Sequence, residues 1–129
     1  MKIFDSKEEY DSKVNFVDEN NVFVGYDQYQ NCCENAGWYI SDKEENVDRD
    51  WENPKEEKFD LEDYRFDLTY FVEVPLEGEY AEGGLVRFKL VSVAQGCNLY
   101  LHIFNSHNGY YSHGFEVKDG EQQIRYGSI

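Results

Sequence analysis

No stretch of this chain approaches the roughly 18 apolar residues that a membrane span requires, and the start Met1-Lys2-Ile3-Phe4-Asp5 turns acidic before the apolar core of a secretion signal could form. Both absences predict a cytoplasmic protein. Cysteine is scarce: Cys32, Cys33 and Cys97 are an odd number, and the adjacent pair would strain a vicinal disulfide, so reduced thiols are expected. Basic side chains are outnumbered, with 12 Lys and Arg against 27 Asp and Glu, a formal net charge of -15 and a pI near 4.4. A surface of that sign repels nucleic acid and anionic lipid, and it draws in basic proteins or cations. The sequence also lacks a phosphate-binding glycine loop, a serine nucleophile elbow and a zinc-protease helix. Its acidic stretch at 42–67 has neither the ligand spacing nor the central glycine of a calcium loop. No internal repeat of about 20 residues or more is apparent, and no low-complexity linker divides the chain.

What is present is the composition of a folded protein: 40% hydrophobic and 17% aromatic, with eleven Tyr, nine Phe and two Trp. A chain of 129 residues matches one domain spanning 1–129 and can bury about two thirds of its unfolded surface. Ser6-Lys7-Glu8-Glu9 has the form of a capping box and predicts a short helix from Ser6 to Lys13. Val14-Asn15-Phe16-Val17 and Val22-Phe23-Val24-Gly25-Tyr26 flank Asp18-Glu19-Asn20-Asn21, the alternation and turn chemistry of a hairpin. Trp38-Tyr39-Ile40 reads as a further strand. Residues 42–67 then carry twelve acidic and five basic side chains, an acidic excursion or loop within the domain that Trp51 docks in part.

From Phe66 onward β signals dominate. Leu68 to Val74, Leu85 to Val93, Asn98 to Phe104, Tyr110 to Val117 and, more weakly, Gln122 to Tyr126 are each bounded by turn residues. Val86, Phe88 and Leu90 alternate with Arg87, Lys89 and Val91, and Leu99, Leu101 and Ile103 with Tyr100, His102 and Phe104, which predicts one aliphatic face and one aromatic-polar face. The fold class expected is α+β and β-rich: a single domain with a curved antiparallel meander and a short N-terminal helix.

Two polar-aromatic clusters hold most of the reactive side chains: Asn31-Cys32-Cys33-Glu34, and Asn105-Ser106-His107-Asn108-Gly109-Tyr110-Tyr111-Ser112-His113. As a metal site, Cys32, Cys33, His102, His107 and His113 offer the thiolates and imidazoles that zinc takes, although adjacent cysteines in a strand face opposite ways. As a nucleophilic site, Cys32 or Cys33 attacks, His107 or His113 serves as base, and Glu34 or an Asn orients it. Without catalysis, Asn108-Gly109 forms a type I′ hairpin turn joining strands that end at Phe104 and begin at Tyr110, a cysteine fills the core at a sheet end, and Glu34 or Asn31 satisfies a bend. Exposed Tyr110, Tyr111, His and Asn side chains also suit a recognition surface.

The order of a strand pair, Cys32-Cys33-Glu34, an acidic middle, and a strand closing on Asn108-Gly109-Tyr110-Tyr111-Ser112 resembles a family of small bacterial and phage proteins described as a domain of unknown function. The likeness spans about Val14 to Val117. It implies a compact β-rich fold and a bacterial or phage origin, and it implies no reaction. Together with the charge it points to a non-enzymatic, macromolecule-binding protein without a cofactor, an inhibitor of a basic protein partner that docks at Glu44, Glu45, Asp48 and Asp50. The alternatives are a toxin-neutralising immunity protein, and a metal- or thiol-dependent enzyme built on Cys32, Cys33, His107 and His113. Neither nucleic acid nor membrane fits as a partner, and the Tyr-rich sheet leaves a homodimer open.

Overall fold

A computed structural model describes residues 1–7, 12–29, 35–45, 59–75, 82–107 and 112–129, and among them every regular element is a β-strand. The strands are β1 (Lys2–Lys7), β2 (Ser12–Val17), β3 (Val22–Asp27), β4 (Asn35–Ser41), β5 (Tyr64–Phe66), β6 (Val72–Pro75), β7 (Glu82–Ser92), β8 (Leu99–His107), β9 (Gly114–Asp119) and β10 (Gln122–Ser128). They form two antiparallel sheets. The first runs β1-β2-β3-β9-β10; the second runs β4-β8-β7-β5, with β6 also on β7. β5 pairs with Leu90–Ser92 and β6 with Gly84–Arg87, so the two short strands share one side of β7 and the chain steps away from it between them.

The α+β class with an N-terminal helix is therefore incorrect. Ser6 and Lys7 end β1, Ser12 and Lys13 begin β2, and the two strands pair from Lys2↔Val17 to Lys7↔Ser12. A helix of about two turns is marginal in water, because nucleation costs more than so few hydrogen bonds return. The ladder with β2 places Ile3 opposite buried Phe16 and outweighs the capping preference of Ser6. The single meander is corrected as well. β8 pairs with β4 and β7 while β9 pairs with β3 and β10, so these consecutive strands lie in different sheets and are not the two arms of an Asn108-Gly109 hairpin; residues 108–111 themselves lie outside the described residues. The β2–β3 hairpin is present, with Val17 opposite Phe23.

The sheets are joined by one apolar core. Val14, Phe16, Val22, Val24, Tyr26, Phe115 and Val117 of the first sheet cluster with Ile40, Val86, Phe88, Leu90, Leu99, Leu101 and Ile103 of the second. The alternation along β7 and β8 lines up in register, Val86 with Ile103, Phe88 with Leu101 and Leu90 with Leu99, so cross-strand partners present their aliphatic side chains to the same face. Aromatic rings close both sides of the sandwich. Trp38 of β4 meets Phe16 of β2 edge-on at 5.1 Å, and Phe71 lies between Phe88 and Phe115 with the Arg125 guanidinium 3.7 Å from its ring centre.

The ends of the sandwich differ. At one end the β2–β3 turn is organised by Asp18, which is 6% exposed. Its Oδ1 accepts from the N–H groups of Asn20 and Val22 at 3.0 and 2.9 Å, and its Oδ2 reaches the second sheet to accept from Phe66 N–H at 2.9 Å. Asn21, at φ 60°, continues the turn, and its carbonyl accepts from Gly120 N–H at 3.0 Å, coupling this turn to the β9–β10 turn. At the other end Gly83 adopts φ 110°, and a Cβ there would strike the Asn105 carbonyl. Only glycine accommodates that combination.

Asp18→Ala removes the acceptor for three backbone donors, two of them buried. A charged acceptor contributes about 1.5–3 kcal/mol per hydrogen bond, so unfolding in urea should show a loss of about 3 kcal/mol or more. Asp18→Asn, with one acceptor oxygen, should lose roughly half as much; equal stability of all three proteins would show that the carboxylate does not hold the sheets together.

Candidate functional site

The described residues that flank the two motif clusters lie at the same end of the sandwich. β4 starts at Asn35 opposite Ser106, one residue before β8 ends at His107, and Glu82 of β7 is the register partner of His107. In the first sheet, Asp27 closes β3 beside His113, which precedes β9: His113 Nδ1 donates to the Asp27 carbonyl at 2.6 Å. The described residues that flank 30–34 and 108–111 are thus neighbours. Cys32, Cys33, Glu34, Asn108, Tyr110 and Tyr111, and the side chain of His107, lie outside the described residues.

His113 is described and buried, and its backbone exchanges two hydrogen bonds with Ile129, at 2.7 and 2.9 Å. The Ile129 carbonyl also accepts from Asn105 Nδ2 at 3.0 Å, which stitches the end of β10 to β8 in the other sheet. His113 therefore carries a proton on Nδ1 and fastens three chain segments. Cys97 is exposed in the β7–β8 turn at the opposite end, where its carbonyl accepts from Tyr64 Oη at 2.7 Å. Of the acidic candidates, Glu44 and Glu45 are exposed, whereas Asp48 and Asp50 lie outside the described residues.

The most developed polar constellation sits instead on the outer face of the second sheet, where register places Tyr39 of β4, His102 of β8 and Arg87 of β7 in one row. His102 and Arg87 are buried. Arg87 Nε donates to His102 Nδ1 at 3.2 Å, so the neutral imidazole must keep its proton on Nε2. The Tyr39 ring stacks on that imidazole at 4.3 Å with 9° between the planes. Burial, reinforced by the Arg87 charge, holds His102 down to about 3 against the opposing pull of the Lys43 backbone. Burial pushes the Tyr39 phenol up to about 12 despite Arg87. Both rings are therefore neutral at physiological pH, and among the described residues neither Tyr39 Oη nor His102 Nε2 makes a hydrogen bond of good geometry.

Ahead of this row, Tyr70 and Tyr100 pack with ring centres 5.8 Å apart, and Tyr70 Oη donates to Glu44 Oε1 at 2.9 Å. Burial first and the Glu44 carboxylate second raise the Tyr70 phenol. The bond fastens residues 42–45 over the sheet; Ser41 Oγ holds the same turn, accepting from Lys43 N–H at 2.9 Å and donating to the Lys43 carbonyl at 3.0 Å. An imidazole this reluctant to protonate is not a general acid at neutral pH, and its Nδ1 lone pair is engaged by arginine. The row is suited to positioning Arg87 and Tyr70, and through Tyr70 the carboxylate of Glu44.

No family model, curated protein or solved structure matches this chain. Among the described residues no group of three or more His, Cys, Asp and Glu side chains could hold a metal ion, and no helix is long and apolar enough to cross a membrane. The Tyr39–His102–Arg87 row has a partial signal in the sequence: Arg87 and His102 occupy the polar positions of two aliphatic strands. Their encounter with Tyr39 depends on the β4–β8 register, which brings together residues more than sixty positions apart.

The pH response of stability tests this reading. His102 refuses in the folded state a proton that it takes below about 6.5 when unfolded, so its contribution is complete above that pH and is lost as pH falls toward about 3. Compared with His102→Gln, which retains an acceptor for Arg87 and does not titrate, the native protein should lose up to about 1.4 kcal/mol more per pH unit between pH 6 and 4.5. Parallel stability curves in urea would mean that His102 is not held neutral.

Proposed function

We propose that this protein is a non-enzymatic inhibitor that docks a basic protein partner through its acidic end. The observation that carries the reading is the set of exposed carboxylates on the turns at the Asp18 end, Glu19, then Asp60, Glu62 and Asp63, and finally Asp119 and Glu121, together with Asp42, Glu44 and Glu45 on the turn that leaves β4 and lies over the outer face of the second sheet. The connections between those turns are short. Asp63 O accepts from Val93 N–H at 2.8 Å, Leu61 O from the Met1 ammonium at 2.7 Å, and Asn21 O from Gly120 N–H. Among pairs of described residues Lys118–Glu116, at 3.8 Å on the flank of the first sheet, is the ion pair present, so the acids of this end are not tied up by one another's neighbours.

Like charges so arranged repel one another and cost stability; they gain from a cationic surface that neutralises them, and they speed its approach. Glu44 adds precision, because Tyr70 fixes one of its oxygens before a partner arrives. A toxin-neutralising immunity protein would meet the same physical requirement against a basic toxin.

Affinity capture from the source cell at 50 mM and 300 mM salt, followed by titration of the purified partner, tests the proposal. A stoichiometric partner of high pI is expected, whose association slows about tenfold or more in Glu44→Lys/Glu45→Lys/Glu62→Lys and at the higher salt. A neutral or acidic partner, or one indifferent to the triple reversal, would overturn it.

A further inference from the structure

The outer face of the first sheet differs from the rest of the molecule. Register across all five strands places Phe4, Asn15, Gly25, Glu116 and Tyr126 in a single transverse row. Phe4 is 55% and Tyr126 77% exposed, the two most exposed large hydrophobic side chains among the described residues, and they stand on the two edge strands. Midway between them, Phe23 of β3 lays its ring over Gly25, with Cε1 and Cζ 2.9 Å from where a Cβ would sit. Three rings therefore cross the sheet at intervals of two strands, about 10 Å each, over a total of about 19 Å.

The polar groups between the rings are held in place. Glu116 accepts from Gln123 Nε2 at 3.0 Å and lies 3.8 Å from Lys118, whose ammonium is also 5.8 Å from the Phe23 ring centre. Lys2, Lys13 and Lys118 nearly cancel Glu116 and Asp27 on this face, although the whole chain carries -15. A basic protein would find no acidic cluster here, and a polyanion is repelled by the molecule at large. A second copy fits poorly too. Both copies would bring the same net charge of -15 to the contact.

We infer that this face binds an uncharged, extended glycan lying across the strands, its sugar rings stacked on Phe4, Phe23 and Tyr126 and its hydroxyls hydrogen-bonded by Asn15, Glu116 and Lys118. Pyranose rings present an apolar C–H face to an aromatic ring and a rim of donors and acceptors to its surroundings, and neutrality removes the penalty of approaching an acidic protein. The two-strand interval is close to one disaccharide repeat of a chain linked through equatorial bonds. Axially linked chains coil and would leave the outer rings uncovered. This surface is separate from the acidic end and does not rest on the inhibitor reading.

Titration calorimetry of the full chain with cellohexaose, N,N′-acetylated chitohexaose and maltohexaose decides the matter. Binding of at least one of the first two with a millimolar or tighter Kd, unchanged between 50 and 300 mM salt, is expected, with maltohexaose at least tenfold weaker. Phe4→Ala and Tyr126→Ala, both at exposed positions whose loss should leave thermal unfolding within a few degrees of native, should each weaken binding about three- to tenfold. Absence of binding by all three sugars, equal binding of maltohexaose, or affinity retained in the double variant would overturn the inference. The triple reversal at Glu44, Glu45 and Glu62 should leave sugar binding intact, so the two surfaces succeed or fail separately.

Discussion

The buried carboxylate of Asp18 is the constraint on which the arrangement of this protein depends. One side chain accepts hydrogen bonds from the turn of a hairpin in the first sheet and from the backbone of β5 in the second. A carboxylate withdrawn from water is tolerated when its lone pairs are filled by fixed donors, and the backbone N–H groups of Asn20, Val22 and Phe66 fill them. Because β5 is only three residues long, its place against β7 owes much to that contact. The segment leading into β5 supplies the carbonyls that receive Met1 and Val93, so the acidic turns are organised around an acid that is itself buried.

From that arrangement follow surfaces of three kinds. The Asp18 end is crowded with exposed carboxylates. The outer face of the second sheet buries a neutral histidine, a phenol and an arginine under residues 42–45, where the cost of desolvation keeps both rings uncharged and leaves the guanidinium as the fixed charge. The outer face of the first sheet is aromatic and close to neutral. The two outer faces are the polar sides of strand alternations whose other sides form the shared core, and the acidic end is built from the turns that join those strands.

The core of β7 and β8 was legible in the sequence because two long strands with strict alternation leave little choice of face, and the antiparallel register then matches aliphatic with aliphatic. The N-terminal helix was misread because Ser6 and Glu9 satisfy a local rule worth about a kilocalorie, whereas the pairing of Ile3 with Phe16 is a tertiary fact. The Asn108-Gly109 hairpin failed for a related reason. Turn chemistry speaks of the backbone within a few residues and cannot say that the strands on either side belong to different sheets. Of the candidate cluster, only the proximity of its flanks is visible in the fold, and His113 serves there as a fastening between β3 and Ile129. Tyr39, Arg87 and His102 were individually unremarkable; their meeting required the β4–β8 register, which no short window contains.

The division of one edge between β5 and β6 bears on how the protein behaves in a crowded cell. A long, flat outer strand would offer an unbroken row of unpaired amides and carbonyls to any extended chain, and a protein this rich in tyrosine and phenylalanine would propagate such a contact readily. Here the row is interrupted by the step between Phe66 and Val72, where Asp67 turns its carboxylate back onto Thr69, and it ends in Pro75, which has no amide hydrogen to give. On that side of β7, the geometry of the edge works against stacking into fibrils and adds to the protection that mutual repulsion of the acidic chains already provides.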